Sequence, residues 1–533
     1  MRVVLAAIVM VGLAVRLWGL TFGLPLVYAR PDELLLIGKV VEFFRGDPNP
    51  HFFEYPTLYL YTIAGVYAIY YGWGLIGGRF TDAPHFLATF KTHHEPFFLI
   101  PRAMSALLGA ATVWLVHAVA TPLFGRAVGV VSAFFMAIAF LHVRDSHYAT
   151  TDVPMVFFVM CAMLAIVRLH LDRRSSDAYL AGVLAGVAMG VKYNAMFLAV
   201  PMVVVEVLHA AGLRGDLRRV VRETHLWRMA VPFLFVFLAG SPYLVLDYST
   251  ASRDLEALRA STASGMTPPE LLGRGWTYHL PYSLWYGLGW PMLFASLAGL
   301  VLMAVRRSAA AAVLGSFPVT YYLAAGAGYN VFVRYMIPVV PFLCLFAGYF
   351  VWEVAALLAS RIRLRVAAVA TVFAGLVAAP SAASVVQFDR LLATEDSRLV
   401  ASRWMNEQAP AGATIYMSGN RYGHLELEDP YPPSKYRYYK FERGAFTEEG
   451  RLATTPPEWI VVQKSEIPYS HISRPVEDLL EAEYTLVHTV RAAADNTSNF
   501  YDIQDGFYLP FGGFRRVTRP GPNILIYRWK GKG

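Results

Sequence analysis

Long apolar runs recur between residues 3 and 386, and they limit the folds that this chain can adopt. About 20 mostly apolar residues are enough for a helix to cross a lipid bilayer. The chain is 56% hydrophobic and only 16% charged, which is too apolar for a soluble globule and typical of a polytopic membrane protein. We predict eleven membrane spans, at 3–20, 97–121, 127–142, 153–171, 178–191, 195–213, 229–247, 283–305, 308–327, 335–358 and 366–386.

A further apolar segment, 56–76, is rich in tyrosine and suits the membrane interface better than the hydrocarbon core. If this segment does not cross, loops that carry Arg173 with Arg174, and Arg306 with Arg307, share a side with the N-terminus. Basic loops of this kind mark the cytoplasmic side. We therefore predict a cytoplasmic N-terminus and a long external loop, 21–96, that contains a membrane-lying helix. A signal peptide cleaved after Ala29 is the alternative for the first run, but its length of about 18 residues favours an uncleaved span.

Residues 388–533 differ in kind, because charge, proline and glycine rise and no further span is present. The pattern predicts one helix at 396–408 and short strands at 413–418, 459–463, 484–490 and 523–529. We therefore predict a transmembrane domain at 1–387 and a soluble α/β domain at 388–533, which lies outside the cytoplasm.

Two neighbouring acids, Asp32 and Glu33, follow the first span directly. Carboxylates are costly near lipid and often mark a site, although helix N-capping after Pro31 would also explain them. A carboxylate here could act as general base on an acceptor hydroxyl or amine.

A third acid, Asp152, stands before another apolar run, where a helix is expected to start. Helix capping explains it locally, but His147 and Tyr148 belong to the same polar loop. His147 could orient an acid, or it could be a solvated loop histidine. We predict that Asp32 and Asp152 share one chamber at the outer membrane face.

Two cations interrupt apolar runs on the same predicted side, Lys192 and Arg334. Either could neutralise a phosphate, and an arginine forks onto phosphate oxygens well, although a lone lysine could also reach the interface harmlessly. His51 and Tyr55 close the first external loop and could line the same cavity, or they could serve the turn alone.

Several chemistries are absent from the sequence. There is no P-loop, GxSxG or HExxH motif, and the two cysteines, Cys161 and Cys344, lie in apolar segments without zinc spacing. The net charge of +8 falls mostly in short loops and does not indicate nucleic acid. An activated donor is therefore expected to be a lipid already in the membrane.

Four stretches of this sequence resemble motifs of a known group of enzymes. Pro31-Asp32-Glu33 after a short first span is similar to the first-loop acidic motif of GT-C glycosyltransferases, notably the protein O-mannosyltransferase and aminoarabinose transferase relatives of family 39. Residues 142–154, which include the sequence SHYATTDVP, resemble the second external acidic motif of this group. The sequences at 190–194 and 334–341 match motifs that recur in bacterial members. The similarity spans most of 1–386, and the tail resembles an appended periplasmic domain.

This resemblance implies an inverting transfer from a polyprenyl-phosphate sugar to a lipid, glycan or protein acceptor, at the outer face of a bacterial inner membrane. Asp32 matches the catalytic base, Glu33 and Asp152 match accompanying acids, and Lys192 and Arg334 are positional candidates for the donor phosphate. The lysine that the aminoarabinose branch carries near the end of the first loop is missing from 51–56, so the sugar stays open. No Asp-x-Asp metal pair is apparent, and no metal or other cofactor is predicted.

Two other functions are compatible with a polytopic membrane protein. A lipid or sugar transporter or flippase would place its acids at mid-membrane and often shows repeated halves. A scaffold with a partner-binding tail would leave the acids unexplained. Glycosyl transfer accounts for more of the polar residues than either.

Overall fold

The computed structural model describes residues 2–212, 222–265, 269–427, 435–495 and 497–531. Two compact units divide the chain. The helical unit comprises Met1–Leu17, Leu36–Phe80 and Ile100–Val386. The sheet unit comprises Trp18–Leu35, Thr81–Leu99 and Gln387–Gly533. The sheet unit includes two parts of the predicted first external loop in addition to the C-terminal region. The predicted division into domains 1–387 and 388–533 therefore stays a prediction.

Helices account for most of the described chain up to residue 392. They are α1 (Arg2–Leu17), α2 (Pro31–Glu42), α3 (Leu58–Ile76), α4 (Ala83–Thr92), α5 (Glu95–Phe124), α6 (Arg126–Ile138), α7 (Phe140–Asp145), α8 (Asp152–Asp172), α9 (Ser175–Val191), α10 (Ala199–Gly212), α11 (Leu226–Gly240), α12 (Tyr243–Leu246), α13 (Tyr248–Ser264), α14 (Pro269–Leu272), α15 (Gly275–Tyr278), α16 (Trp285–Leu288), α17 (Trp290–Arg306), α18 (Ser308–Gly326), α19 (Val340–Ile362) and α20 (Val366–Leu392). Turns of 3₁₀-helix precede α10 (Tyr193–Leu198) and α19 (Val333–Val339), and a π-helical turn, His279–Leu284, precedes α16.

Six helices of the described residues are long and apolar enough to cross a membrane, or seven if a bent pair counts as one span. The chain is therefore a multi-pass helical membrane protein, as predicted. Seven of the eleven predicted spans coincide with these helices, and the other four coincide with the shorter helices α1, α6, α9 and α11. The total of eleven and the membrane orientation stay predictions. The tyrosine-rich helix α3 is not among the candidate spans.

The segment predicted as one span at 127–142 is broken at Ala139 into α6 and α7. The Ser381 hydroxyl bridges the break, because it donates to the Ile138 carbonyl at 2.8 Å and accepts the Phe140 N–H at 3.0 Å. The buried Arg16 of α1 donates to the carbonyls of Met136 and Ala137, at 3.2 and 3.0 Å. These side chains satisfy backbone groups that a continuous helix would pair internally.

A second break lies at Gly289, where the chain bends by 113° between the segment that ends with α16 and helix α17. Gly289 has φ = 77°, a conformation that glycine adopts without strain, and Pro291 opens the helix that follows. The predicted span at 283–305 therefore begins within the π-helical turn and is bent.

The sheet unit contains a seven-stranded mixed sheet in the order β4-β3-β2-β1-β5-β7-β6. Its strands are β1 (Thr414–Met417), β2 (Arg437–Glu442), β3 (Ala445–Glu448), β4 (Arg451–Leu452), β5 (Trp459–Lys464), β6 (Tyr484–Val490) and β7 (Asn523–Trp529), with helices α21 (Ser397–Gln408) and α22 (Arg474–Glu483). β1 runs parallel to β2 and β5, and every other pair is antiparallel. The four predicted strands and helix α21 are present. The short strands β2 to β4 and helix α22 were not predicted.

The central strand β5 is buried on both sides, which explains its unbroken apolar run. Val461 packs in one cluster with Met405 of α21, and Ile460 packs in another with Val476 of α22. The sheet is therefore covered by a helix on each face.

Candidate active site

A buried ion pair joins the ends of two membrane helices in the helical unit. The Nζ atom of Lys192 lies 2.6 Å from Oδ1 of Asp152, and the two side chains are 10% and 4% exposed. Asp152 is the first residue of α8, where the helix dipole favours a negative charge. Removing either charge alone would leave the other buried without its counter-ion, which is strongly destabilising.

A break between two helices positions Lys192. Helix α9 ends at Val191, and Lys192 is extended (φ = −153°, ψ = 133°) before the 3₁₀ turn that leads into α10. The next two side chains fix this turn, because Tyr193 donates to the Phe53 carbonyl at 3.1 Å and Asn194 donates to the Tyr321 hydroxyl at 3.0 Å. The sequence had indicated an interruption of the apolar run here, and the structure contains one.

Two aromatic rings flank the lysine ammonium. Its Nζ atom is 5.8 Å from the ring centre of Tyr55 and 6.0 Å from that of Tyr335. At these distances the ring faces add a weak attraction for the cation. The predicted cavity residue Tyr55 therefore lies beside the predicted phosphate ligand Lys192.

Arg334 precedes Tyr335 in the 3₁₀ turn before α19 and is largely buried. Its guanidinium carbon lies 3.9 Å from the ring centre of Phe332, close enough for stacking. Arg334 is therefore the sequence neighbour of Tyr335, whose ring centre lies 6.0 Å from the Lys192 Nζ atom.

Sequence reasoning missed His279, which belongs to the π-helical turn. Its buried ring lies 6.5 Å from the ring of Tyr335, and its Nδ1 atom is 2.9 Å from the Ser283 hydroxyl. The buried Nε2 atom has no hydrogen-bond partner in the part of the chain that the structure describes. π-Helical turns are frequent at functional sites. The only sequence signal was a histidine just ahead of a predicted span.

His147 and Tyr148 are both fully buried in the loop before α8. His147 Nδ1 lies 3.0 Å from the Val143 carbonyl, and the guanidinium of Arg144 lies 5.4 Å from the Tyr148 ring centre. The solvated-loop alternative for His147 is therefore wrong. These two contacts stabilise the loop that leads to Asp152.

His51 lies in a different, exposed cluster. Its ring nitrogens lie 3.0 Å from Asp47 and 3.4 Å from Asp247, and Asn49 donates to Asp247 at 2.9 Å. Hydrogen bonds from the Asn49 backbone and the His51 side chain lower the pKa of Asp47 below its ordinary value. None of these contacts joins His51 to Lys192 or Asp152.

The first-loop acids, Asp32 and Glu33, open α2 within the sheet unit. Asp32 is 30% exposed, and its carboxylate lies 3.6 Å from the guanidinium of the buried Arg30. Glu33 is fully buried. Arg30 also donates to Asp505, which was not predicted, and its guanidinium carbon lies 5.8 Å from the ring centre of Phe507. A shared chamber for Asp32 and Asp152 stays a prediction.

No group of three or more histidine, cysteine, aspartate or glutamate side chains could hold a metal ion within the described ranges. The Lys192 ammonium has three N–H donors and no acceptor, and Asp152 accepts one of these donors.

Residues 98–243 match the family model described as dolichyl-phosphate-mannose-protein mannosyltransferase. This stretch contains both Asp152 and Lys192. The predicted resemblance to protein O-mannosyltransferases, which use a lipid-phosphosugar donor, is confirmed over these residues. No curated protein sequence matches the chain.

Solved structures share the fold at low sequence identity. ArnT from Cupriavidus metallidurans in the apo state matches with a TM-score of 0.53 and 14% identity, over 98% of this chain and 97% of that chain. The same protein bound to undecaprenyl phosphate matches with a TM-score of 0.51 and 15% identity, over 99% and 97%. The Archaeoglobus fulgidus oligosaccharyltransferase in the apo form matches with a TM-score of 0.51 and 13% identity, over 78% and 62%. This chain thus spans less than two thirds of the archaeal protein.

Proposed function

We propose that this chain is an inverting glycosyltransferase, which moves a sugar from a polyprenyl-phosphate donor to an acceptor on the outer face of a bacterial inner membrane. The buried Asp152–Lys192 pair carries the proposal, because it holds an ammonium where two membrane helices end. The family match over 98–243 and the ArnT-like fold over nearly the full length support it.

Lys192 would bind the donor phosphate. One of its three N–H donors is taken by Asp152, which leaves two for phosphate oxygens. Arg334 would supply a second cation, and Tyr55 and Tyr335 would form the apolar sides of the donor cavity. The leaving polyprenyl phosphate is already anionic, so it needs charge stabilisation more than protonation.

Asp32 would act as the general base. It would take the proton of the acceptor hydroxyl or amine while that atom attacks the anomeric carbon, and the bond from that carbon to the phosphate oxygen would break on the opposite side. Arg30, at 3.6 Å, would keep the carboxylate in place, and Glu33 would support the start of α2 as an accompanying acid.

The wider organisation belongs to the same proposal. Eleven spans with a cytoplasmic N-terminus would place Asp32, Asp152, Lys192 and the sheet unit outside the cytoplasm. ArnT has been solved with undecaprenyl phosphate, which supports a polyprenyl-phosphate carrier here. The acceptor would be a lipid, a glycan or a protein.

Mass spectrometry of lipid-linked sugars tests the reaction. Cells that lack the protein should accumulate one polyprenyl-phosphate sugar, and the wild-type gene should clear it. Asp32→Asn should clear it at least 100-fold more slowly at equal protein level, since a positioned base contributes about 10²–10⁴-fold. Asp478→Asn, which changes an exposed acid of α22, is the matched control.

Undecaprenyl phosphate binding tests the donor site separately. Lys192→Gln should weaken this binding in detergent at least tenfold, while Asp32→Asn should leave it unchanged. Normal clearing of the lipid-linked sugar by Asp32→Asn would remove Asp32 as the base. Unchanged lipid binding by Lys192→Gln would remove Lys192 from the donor site.

A further inference from the structure

A groove lies at the other end of the helix that carries Asp152. Helix α8 has 21 residues and ends at Asp172. At about 1.5 Å per residue it spans ~30 Å, which matches the thickness of a bilayer's hydrocarbon core. The end near Asp172 therefore lies at the membrane face opposite to Asp152.

The groove has a volume of about 600 Å³ and is bounded by α1, α5, α8 and the first turn of α9. Leu5, Trp114 and Leu164 give it an apolar wall, whereas Arg168 and Arg174 stand on its α8 side. Trp114 is 49% exposed within this wall. The groove thus combines an apolar wall with basic groups at headgroup level.

The charges in this groove favour an anion. Arg168 is exposed and makes no ion pair or hydrogen bond with the described residues, so its charge is available. Of the two acids in the lining, Asp172 lies 3.8 Å from Arg174, and Asp177 is 9% exposed in the first turn of α9, where the helix dipole offsets its charge.

Further basic groups surround the same groove. Arg2 lies one helical turn before Leu5, and both it and Arg126 at the start of α6 are exposed. Arg126 also acts electrostatically on His117, which lines the groove. The surroundings are therefore net positive, although two carboxylates contribute to the lining.

We propose that this groove binds an anionic phospholipid of the leaflet opposite to the Asp152 end, with its phosphate at Arg168 and its acyl chains along Leu5, Trp114 and Leu164. Basic pockets between membrane helices bind lipid headgroups in this way. A zwitterionic lipid would fit the apolar wall but would not compensate the unpaired Arg168. The site is separate from the proposed donor site and does not depend on the reaction.

Native mass spectrometry of the full chain in neutral detergent tests the proposal, with phosphatidylglycerol and phosphatidylcholine as probes. The wild type should bind phosphatidylglycerol at least fivefold more tightly than phosphatidylcholine. Arg168→Gln should remove this preference. Arg361→Gln, an exposed arginine at the end of α19, should keep it. Neither exposed replacement should disturb folding.

The same measurement identifies the source of the phosphate. Glycerol phosphate, the headgroup without acyl chains, should not displace phosphatidylglycerol at equal concentration. Displacement by glycerol phosphate, or an equal preference in Arg168→Gln and the wild type, would overturn the proposal.

Tryptophan fluorescence locates the bound lipid. Phosphatidylglycerol with brominated acyl chains should quench part of the emission of the 11 tryptophans, and Trp114→Phe should lose the saturable part of that quenching. Identical quenching curves for the two proteins would show that the lipid binds elsewhere.

Discussion

Two buried cations lie beside acids that were predicted as site residues. Lys192 pairs with Asp152 in the helical unit, and Arg30 pairs with Asp505 and lies near Asp32 in the sheet unit. Buried ion pairs of this kind contribute little net stability, but breaking one leaves an uncompensated charge. Their main effect is therefore to fix where each carboxylate points.

A double-mutant cycle measures the first of these pairs. Lys192→Met should lower the free energy of unfolding by about 3–5 kcal/mol, because it leaves Asp152 charged and buried. Lys192→Met with Asp152→Leu should recover most of that loss. Thermal unfolding of the purified protein in detergent gives both values.

The control for this cycle is Lys39→Met, because Lys39 is part of a partly exposed pair with Glu42 at 3.8 Å. Its replacement should cost no more than about 1 kcal/mol. A cost for Lys192→Met as small as that for Lys39→Met would contradict a tightly coupled pair at Asp152.

The sequence predicted candidate site residues but not the partners of those residues. Asp152 and Lys192 stood out because each interrupts or precedes an apolar run. Their pairing across 40 residues had no sequence signal. Asp505 lies 475 residues from Arg30, in a stretch whose local pattern predicted nothing. His279 was missed because a single histidine carries no periodicity.

At the scale of elements, the break at Ala139 shows that distant residues decide where a membrane helix ends. The sequence predicted a single span at 127–142, since apolar periodicity continues through the break. Ser381 of α20 and Arg16 of α1 supply the hydrogen bonds that make the interruption stable. The helices themselves were predictable from local pattern, whereas this break was not.

Ser381→Ala should destabilise the protein by about 1–3 kcal/mol, because it leaves the Phe140 N–H and the Ile138 carbonyl unpaired in the interior. Ser360→Ala is the matched control, because the exposed Ser360 hydroxyl donates only to the Leu357 carbonyl of its own helix. Thermal unfolding in detergent compares the two. Equal melting temperatures for both variants would mean that the break does not depend on Ser381.

At the scale of the whole molecule, reporter fusions measure the number of spans and their orientation. Three predicted spans, 97–121, 127–142 and 153–171, lie between residues 80 and 172. Reporter proteins fused after residue 80 and after residue 172 should therefore report opposite sides of the membrane, with residue 80 outside the cytoplasm. Reporters on the same side would mean an even number of crossings and would contradict the eleven-span topology.

The position of Arg16 has a consequence for how the protein is made. Arg16 lies in the last turn of α1, and its partner carbonyl at Ala137 is 121 residues later in the chain. At about 5–20 residues per second, a ribosome needs ~6–24 s to synthesise the intervening segment. Until then the guanidinium has to reach lipid headgroups or water, because leaving it in hydrocarbon is costly. We therefore expect α1 to reach its final depth only after α6 has been synthesised.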